Sequence, residues 1–221
     1  MNLKSQKKKF LSIILITLLG FVSTNVHGQE ARFGLKGGLN LSSMTVEGAD
    51  DSNLLPGFHA GAFARVMATD LIGLQPEVLF STRGYKAVYN ESFLGYPVAD
   101  GTTKLNLDYI DVPLHVVFSI AEDFNFHVGP YFGFLVNADA VTDAEVLDFI
   151  NVDDVSEIDR EEFNTVDMGV SGGLGFTFDP VTVGFNYSLG LNRVAKESEA
   201  MDALIGDAKN NNIQVYVGFL F

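Results

Sequence analysis

The segment VTVGFNYSLGLN, residues 181–192, decides the fold because its side chains alternate between two chemical classes. One set is bulky and apolar: Val181, Val183, Phe185, Tyr187, Leu189 and Leu191. The other set is small and mostly polar: Thr182, Gly184, Asn186, Ser188, Gly190 and Asn192. Because a β-strand repeats every two residues, this alternation predicts a strand with one apolar face.

The same alternation recurs along the chain and gives eight predicted strands in all. The other seven cover roughly residues 32–43, 57–68, 71–83, 105–120, 124–136, 166–178 and 212–221. Their connections alternate strictly in length. Short links fall at Thr69-Asp70, at 121–123 and at Asp179-Pro180, and long polar links fall at 44–56, 84–104, 138–164 and 193–211. This layout predicts a closed antiparallel eight-stranded transmembrane β-barrel with four long extracellular loops.

The side on which the apolar residues point separates two kinds of barrel. A soluble lipocalin-like barrel turns its apolar side chains inward. Here the polar set is dominated by Gly, Ser, Asn and Thr, which suit a narrow lumen, whereas the phenylalanines and valines are too bulky for it. We therefore expect the apolar face to contact lipid. Pro76, Pro113 and Pro130 fall inside predicted strands, where we expect β-bulges.

The first residues have the pattern of a secretory signal peptide. Lys4, Lys7, Lys8 and Lys9 precede an apolar run from Phe10 to Val22, which is shorter than a membrane-spanning helix needs. We expect cleavage between Gly28 and Gln29, with residues 1–28 as the signal and 29–221 as the barrel domain. The alternative is an uncleaved anchor helix.

Composition excludes several classes of protein. The chain has no cysteine, which excludes a lipoprotein anchor, disulfides and thiolate metal sites. Without the four signal lysines, 10 basic residues face 28 acidic ones, a formal charge of −18 that argues against nucleic-acid binding. We expect no cofactor, no resident metal and no catalytic residues.

Five segments resemble a known family: FGLKGGLNLSSM (33–44), GFHAGAFARV (57–66), LQPEVLFSTRGY (74–85), YIDVPLHVVF (109–118) and VYVGFLF (215–221). They are similar to the outer-membrane β-barrel family common in Bacteroidetes, often labelled PorT-like or porin family. The resemblance implies a barrel in the outer membrane and no particular activity. Val217, Phe219 and Phe221 also resemble the C-terminal signal that the barrel assembly machinery reads; alternatively, Phe221 is only the last lipid-facing residue.

Charged residues on the polar parity of the strands are the main candidate site. They are Lys36, Arg65, Glu77, Asp111 and Asp167. The tight turn at 69–71 predicts that Arg65 lies diagonally across from Glu77, within reach of a long side chain. We expect an ion network that fills the lumen, and a solute pathway is the alternative.

The segment 137–164 contains ten acidic residues against the single Arg160. Clustered carboxylates could bind Ca²⁺ or bridge divalent ions to lipopolysaccharide, although the spacing lacks the central glycine of an EF-hand loop. Apolar residues interrupt the acids, so a short amphipathic helix over the barrel is another expectation. These residues are Val146, Leu147, Ile150, Val155 and Ile158.

The histidines raise an enzymatic alternative, because a lipid A-modifying barrel would need a His and a Ser at its outer rim. His59 lies near Ser42 and Ser43, but it falls on the lumen parity, and His115 and His127 are expected to fill the lumen. The sequence favours a monomeric, non-enzymatic barrel with a structural, surface-interaction or narrow-transport role, in contact with lipid and lipopolysaccharide. A component of a secretion or envelope-assembly pathway is the other alternative.

Overall fold

The computed structural model describes residues 31–45, 54–93, 96–146, 150–157, 162–196 and 206–221. The predicted signal peptide and its cleavage site at Gly28 and Gln29 lie outside these residues. Within the described ranges, no helix is long and apolar enough to cross a membrane.

Nine strands form in this part of the chain, and eight of them close into an antiparallel barrel. The strands are β1 (Ala31–Thr45), β2 (Leu55–Met67), β3 (Ile72–Phe93), β4 (Tyr96–Ser119), β5 (Phe124–Val146), β6 (Ile150–Glu157), β7 (Val166–Phe178), β8 (Val181–Gly190) and β9 (Lys209–Leu220). β6 is the strand outside the barrel, so β5 pairs with β7 in the barrel wall. The other barrel strands pair in chain order, and the pairing of β1 with β9 closes the barrel. The predicted closed eight-stranded barrel is therefore confirmed.

The predicted orientation of the two faces is also confirmed. In the segment that decides the fold, Phe185 and Leu189 are 42% and 44% exposed, whereas Asn186 and Ser188 are 2% and 5% exposed. Alternate residues of the other barrel strands divide in the same way. The apolar side chains form most of the outer surface, and mainly polar side chains of small and large size fill the lumen.

Phenylalanines are concentrated at the end of the barrel that carries the short turns. Ring centroids lie 6.0 Å apart for Phe118 and Phe126, 5.7 Å apart for Phe124 and Phe176, and 5.3 Å apart for Phe176 and Phe178. The chain contains no tryptophan. Phenylalanine therefore forms the aromatic girdle that outer-membrane barrels place at an interface, here the periplasmic one.

Two of the four predicted loops are instead mostly strand. β3 and β4 remain paired to Phe93 and Tyr96, so that residues 84–93 and 96–104 form a long hairpin. In the acidic segment, Asp139–Val146 of β5 pairs with β6, which replaces the expected amphipathic helix. β5 continues beyond the residues that pair with β7, so one of its edges is open to another strand there. This part of the chain also contains β-branched residues, which favour a strand over a helix, such as Val141, Thr142 and Val152.

The expected bulges at the three prolines are not found. Pro76 faces Leu114, Pro113 faces Tyr131 and Pro130 faces Val170, without a shift of register at any of them. A proline removes a single donor from the ladder, so the surrounding pairs hold the register. The shifts lie elsewhere, between Glu91 and Ser92 and between Asp108 and Tyr109.

Gly38 and Gly37 provide a matched test of the close contact between β1 and its neighbours. A Cβ on Gly38 would overlap the Val215 carbonyl oxygen and approach the Tyr216 Cα to 2.7 Å, whereas a Cβ on Gly37 would come no closer than 3.4 Å to any atom. We expect Gly38→Ala to lower the free energy of unfolding by about 1–3 kcal/mol and Gly37→Ala to change it by less than about 0.5 kcal/mol. Urea unfolding in lipid vesicles measures both, and equal losses would contradict this packing.

Candidate functional site

The structure places all five predicted luminal charges inside the barrel. Lys36, Arg65, Glu77, Asp111 and Asp167 are each between 1% and 9% exposed. They belong to two groups of contacting side chains at different heights. The lower cluster, nearer the short turns, consists of Lys36, Arg65, Gln75, Glu77 and His115, and the upper cluster consists of Arg83, Tyr109, Asp111, Tyr131 and Asp167.

Glu77 is the centre of the lower cluster. It forms an ion pair with Lys36, which reaches it from β1 past the intervening β2. Gln75 Nε2 donates a hydrogen bond to Glu77 Oε1 at 2.7 Å, and His115 Nδ1 lies 3.2 Å from the same oxygen. The Lys36 ammonium also lies 4.5 Å from the centre of the Tyr216 ring. The carboxylate therefore has partners from three strands.

Arg65 occupies the register position that the turn predicts, but it does not pair directly with Glu77. Phe63 faces Glu77 and Val66 faces Leu74, which places Arg65 diagonally across from the carboxylate. Its Nε instead donates to Gln75 Oε1 at 2.7 Å. Gln75 thus links the guanidinium to the carboxylate.

Two histidines extend the lower cluster across the lumen. His115 Nε2 lies 2.7 Å from Ser171 Oγ, and His127 Nε2 lies 2.5 Å from Asn186 Oδ1. Glu77, His115 and Ser171 follow the order of a hydrolytic triad. However, His115 is fully buried and Ser171 is 3% exposed. The hydroxyl therefore lies inside the filled lumen, and these bonds connect β3, β4 and β7.

Arg83 is the centre of the upper cluster. Its guanidinium pairs with Asp111 on β4 and, through Nη1 at 3.0 Å, with Asp167 on β7. The rings of Tyr109 and Tyr131 each lie 5.2 Å from it, and the Tyr131 hydroxyl donates to Asp167 Oδ2 at 3.1 Å. One cation thus bridges carboxylates from different parts of the barrel wall.

The charges balance over the whole lumen but not within each cluster. Lys36 and Arg65 face one carboxylate in the lower cluster, and Arg83 faces two in the upper one. The lower cluster is therefore left with one positive charge and the upper cluster with one negative charge. This arrangement fills the lumen and fixes strands against one another.

Sequence reasoning missed Arg83 and the luminal tyrosines. Arg83 lies six residues after Glu77, so the period of two already placed it on the luminal face; it was overlooked because it stands at the end of a predicted strand. Tyr109, Tyr131 and Tyr216 are at most 3% exposed. Their positions share the polar parity of their strands, so the period of two already directs them inward; only their part in the ion network was not predicted.

An apolar cluster closes the extracellular end of the lumen above the upper cluster. We call it the mouth cluster, and its members are Met44, Leu105, Leu107, Tyr109, Leu135, Ala138, Phe163, Val194, Ala195 and Ala208. Asn164 fastens two of its segments, because its side-chain amide donates to the Arg193 and Ala195 carbonyls at 2.9 and 3.0 Å. Residues from the connections between strands thus form an apolar core at the extracellular end of the barrel, separate from the charged clusters in the lumen.

The residues of the enzymatic alternative have separate structural partners. His59 Nδ1 lies 2.7 Å from Asn40 Oδ1, whereas Ser42 Oγ donates to the Leu55 carbonyl and accepts from Gly84 N. His59 and Ser42 therefore do not form a pair. In the ranges that the structure describes, no three His, Asp or Glu side chains are grouped as metal ligands. Most carboxylates of the predicted cation site lie outside the side chains so described.

A closed barrel with an apolar outer surface and an ion-paired polar lumen defines an integral outer-membrane protein. A family model described as outer membrane protein beta-barrel domain matches residues 7–196. The chain therefore belongs to this family and is located in the outer membrane. The final strand β9, which closes the barrel, lies beyond the matched residues.

Two solved structures are similar to this chain at low sequence identity. The attachment invasion locus protein Ail of Yersinia pestis is 14% identical, with a TM-score of 0.43 over 87% of this chain and 99% of that chain. Neisserial surface protein A is 13% identical, with a TM-score of 0.44 over 86% of this chain and 97% of that chain. No curated protein matches the sequence significantly.

Proposed function

We propose that this outer-membrane barrel acts at the cell surface, without enzymatic activity and without an open pore, through strands that extend beyond its extracellular end. The observation that carries the proposal is that β3, β4, β5 and β6 continue as a paired sheet past the filled mouth of the barrel. We call this part the projecting sheet; it comprises residues 86–93, 96–104, 139–146 and 150–157. A closed lumen and a raised sheet suit recognition better than transport.

The outer edge of the projecting sheet is available for pairing. Among the described strands, β6 pairs with β5 alone, and it ends the strand order. An edge strand presents unpaired N–H and C=O groups to an incoming extended segment. The backbone therefore supports a binding mode in which a partner adds a strand beside β6.

Charge supports a cationic partner. Asp139 faces Glu157 and Asp143 faces Asp153 across the β5–β6 pair. The register thus brings four acidic residues of the segment into opposite positions, and such an excess of negative charge favours a cationic partner. The ten acidic residues of segment 137–164 also favour a partner with positive charge.

Cells that display the protein should retain the cationic protein cytochrome c, which serves as a probe of this surface. We expect the combined variant Asp139→Asn, Asp143→Asn, Asp153→Asn and Glu157→Gln to retain clearly less cytochrome c than the unmodified barrel does. The cause is the loss of charge attraction, which salt also screens. Retained cytochrome c is measured by its absorbance in the cell pellet.

The control variant neutralises exposed acids on the opposite, periplasmic turns: Asp70→Asn, Glu122→Gln and Asp123→Asn. It should bind as much cytochrome c as the unmodified barrel. Equal binding by both variants would argue against the projecting sheet as the site. A large, steady ionic conductance of the purified barrel in planar bilayers would instead restore the porin alternative.

We also propose narrower features of the protein. The five segments described above support membership of the PorT-like branch common in Bacteroidetes. The N-terminal lysines and the apolar run that follows them support export with cleavage after Gly28. Val217, Phe219 and Phe221 are 48%, 51% and 74% exposed along β9 and its end, which supports their recognition by the assembly machinery. The continuous apolar surface supports a monomer surrounded by lipid and lipopolysaccharide.

A further inference from the structure

The periplasmic end of the lumen carries more positive than negative charge. Arg32 and Arg65 face each other directly across the β1–β2 pair. Lys36 lies four residues after Arg32 on β1 and shares its side of the strand. Arg32 pairs with Asp179, and Lys36 pairs with Glu77. Each of these two carboxylates therefore already has a cation, which leaves the charge of Arg65 without a direct counterion.

The side chain of Arg65 is held in place by one bond and keeps the rest of its donors free. Its Nε donates to Gln75, and no other hydrogen bond of its guanidinium is found within the described part of the chain. A guanidinium has five N–H donors, so four remain. At 9%, Arg65 also keeps the largest exposure of the charged luminal residues. The free end of the guanidinium is therefore the part that solvent reaches.

The surroundings of Arg65 strengthen any charge interaction made there. Phe63, Val117 and Leu220 are luminal residues of the same end of the barrel, and each is at most 4% exposed. Apolar walls lower the local dielectric and raise the cost of a cation without a partner. Glu77 makes no direct bond to Arg65, because its oxygens bind Lys36, Gln75 and His115.

We propose that this end of the lumen is an anion-binding vestibule, in which Arg65 binds one carboxylate or phosphate group presented from the periplasm. A planar guanidinium with adjacent free N–H groups binds either anion through two parallel hydrogen bonds. Gln75 presets the orientation of the guanidinium, so little freedom is lost on binding. The barrel would then have a ligand on its periplasmic side, independent of the surface role proposed above.

The test follows the side-chain Nε–H resonance of Arg65 by NMR in the refolded, signal-free barrel in detergent micelles. Inorganic phosphate and acetate are titrated separately, with sodium chloride at matched ionic strength as the reference. We expect a saturable shift with at least one of the two anions beyond the effect of chloride. A response to phosphate alone assigns a phosphate source, and a response to acetate alone assigns a carboxylate source.

Variants connect the response to Arg65. Arg65→Gln should weaken anion binding, measured by calorimetry, by about tenfold or more. Arg65→Lys should keep part of the affinity, because the positive charge remains although the paired N–H donors of the guanidinium are lost. Lys209→Gln removes the same charge from the far end of β9 and should leave binding unchanged. Heat-dependent gel mobility confirms that each variant is folded. Equal shifts with all three salts, or equal affinity in Arg65→Gln and Lys209→Gln, would overturn the proposal.

Discussion

Arg83→Met should lower the free energy of unfolding of the barrel in lipid by about 3–5 kcal/mol. Methionine keeps an unbranched side chain of similar length, so the loss comes mainly from charge. Without the guanidinium, Asp111 and Asp167, which are 2% and 3% exposed, remain as enclosed carboxylates with no cation. The stacking on Tyr109 and Tyr131 is lost as well.

Arg32→Met provides the matched control for this prediction. Arg32 also pairs with an aspartate, Asp179, but the side chains of this pair are 30% and 71% exposed. An exposed pair contributes only about 0–1 kcal/mol, so urea unfolding in vesicles should separate the two variants clearly. Adding Asp111→Asn and Asp167→Asn to Arg83→Met should recover a large part of the loss. If Arg83→Met and Arg32→Met cost the same, the upper cluster does not hold the barrel together.

Phe185→Arg should cost about 2–4 kcal/mol, because it places a charge near the middle of the lipid-facing surface. Phe185 is 42% exposed and lies between Leu174 of β7 and Val215 of β9, which are exposed and apolar as well. The hydrocarbon core of a bilayer holds no water, and these two neighbours offer no partner to a guanidinium. Refolding yield and urea unfolding in vesicles measure the effect.

Phe178→Arg is the control at a different depth. Phe178 is 58% exposed and adjoins the turn at Asp179-Pro180, where it faces Val181 in the last pair of the hairpin. The cost near an interface falls to about 0–1 kcal/mol. A charge on the luminal side of the same strand is also expected to destabilise the barrel: Asn186→Arg would replace a side chain that is 2% exposed and bonded to His127. Similar losses for Phe185→Arg and Phe178→Arg would mean that the apolar face does not meet lipid.

The alternation of side chains was sufficient to predict the barrel and the direction in which each strand residue points. Thr182 and Asn186 point inward and Phe185 points outward because the period of a strand is a local property. The five luminal charges followed from the same rule. Properties that repeat along one strand can thus be read from the sequence.

The contacts across the lumen could not be predicted, because they depend on the curvature and stagger of the closed sheet. Lys36 meets Glu77 past an intervening strand, and Arg83 meets Asp167 on the opposite wall. No rule for neighbouring strands places these residues together. The mouth cluster likewise joins distant segments of the chain, near Phe163, Val194 and Ala208. The sequence of β6 is compatible with an amphipathic helix as well as with a strand, so its pairing with β5 could not be predicted either.

The paired hairpin of β3 and β4 has a consequence for the height at which the protein meets its environment. Phe93 lies seven residues beyond Lys86 on the paired backbone. At about 3.4 Å per residue this amounts to roughly 24 Å along the strand. Backbone pairing continues over this whole length, so a molecule that approaches from outside the cell meets the tip of the hairpin before it meets the mouth of the barrel.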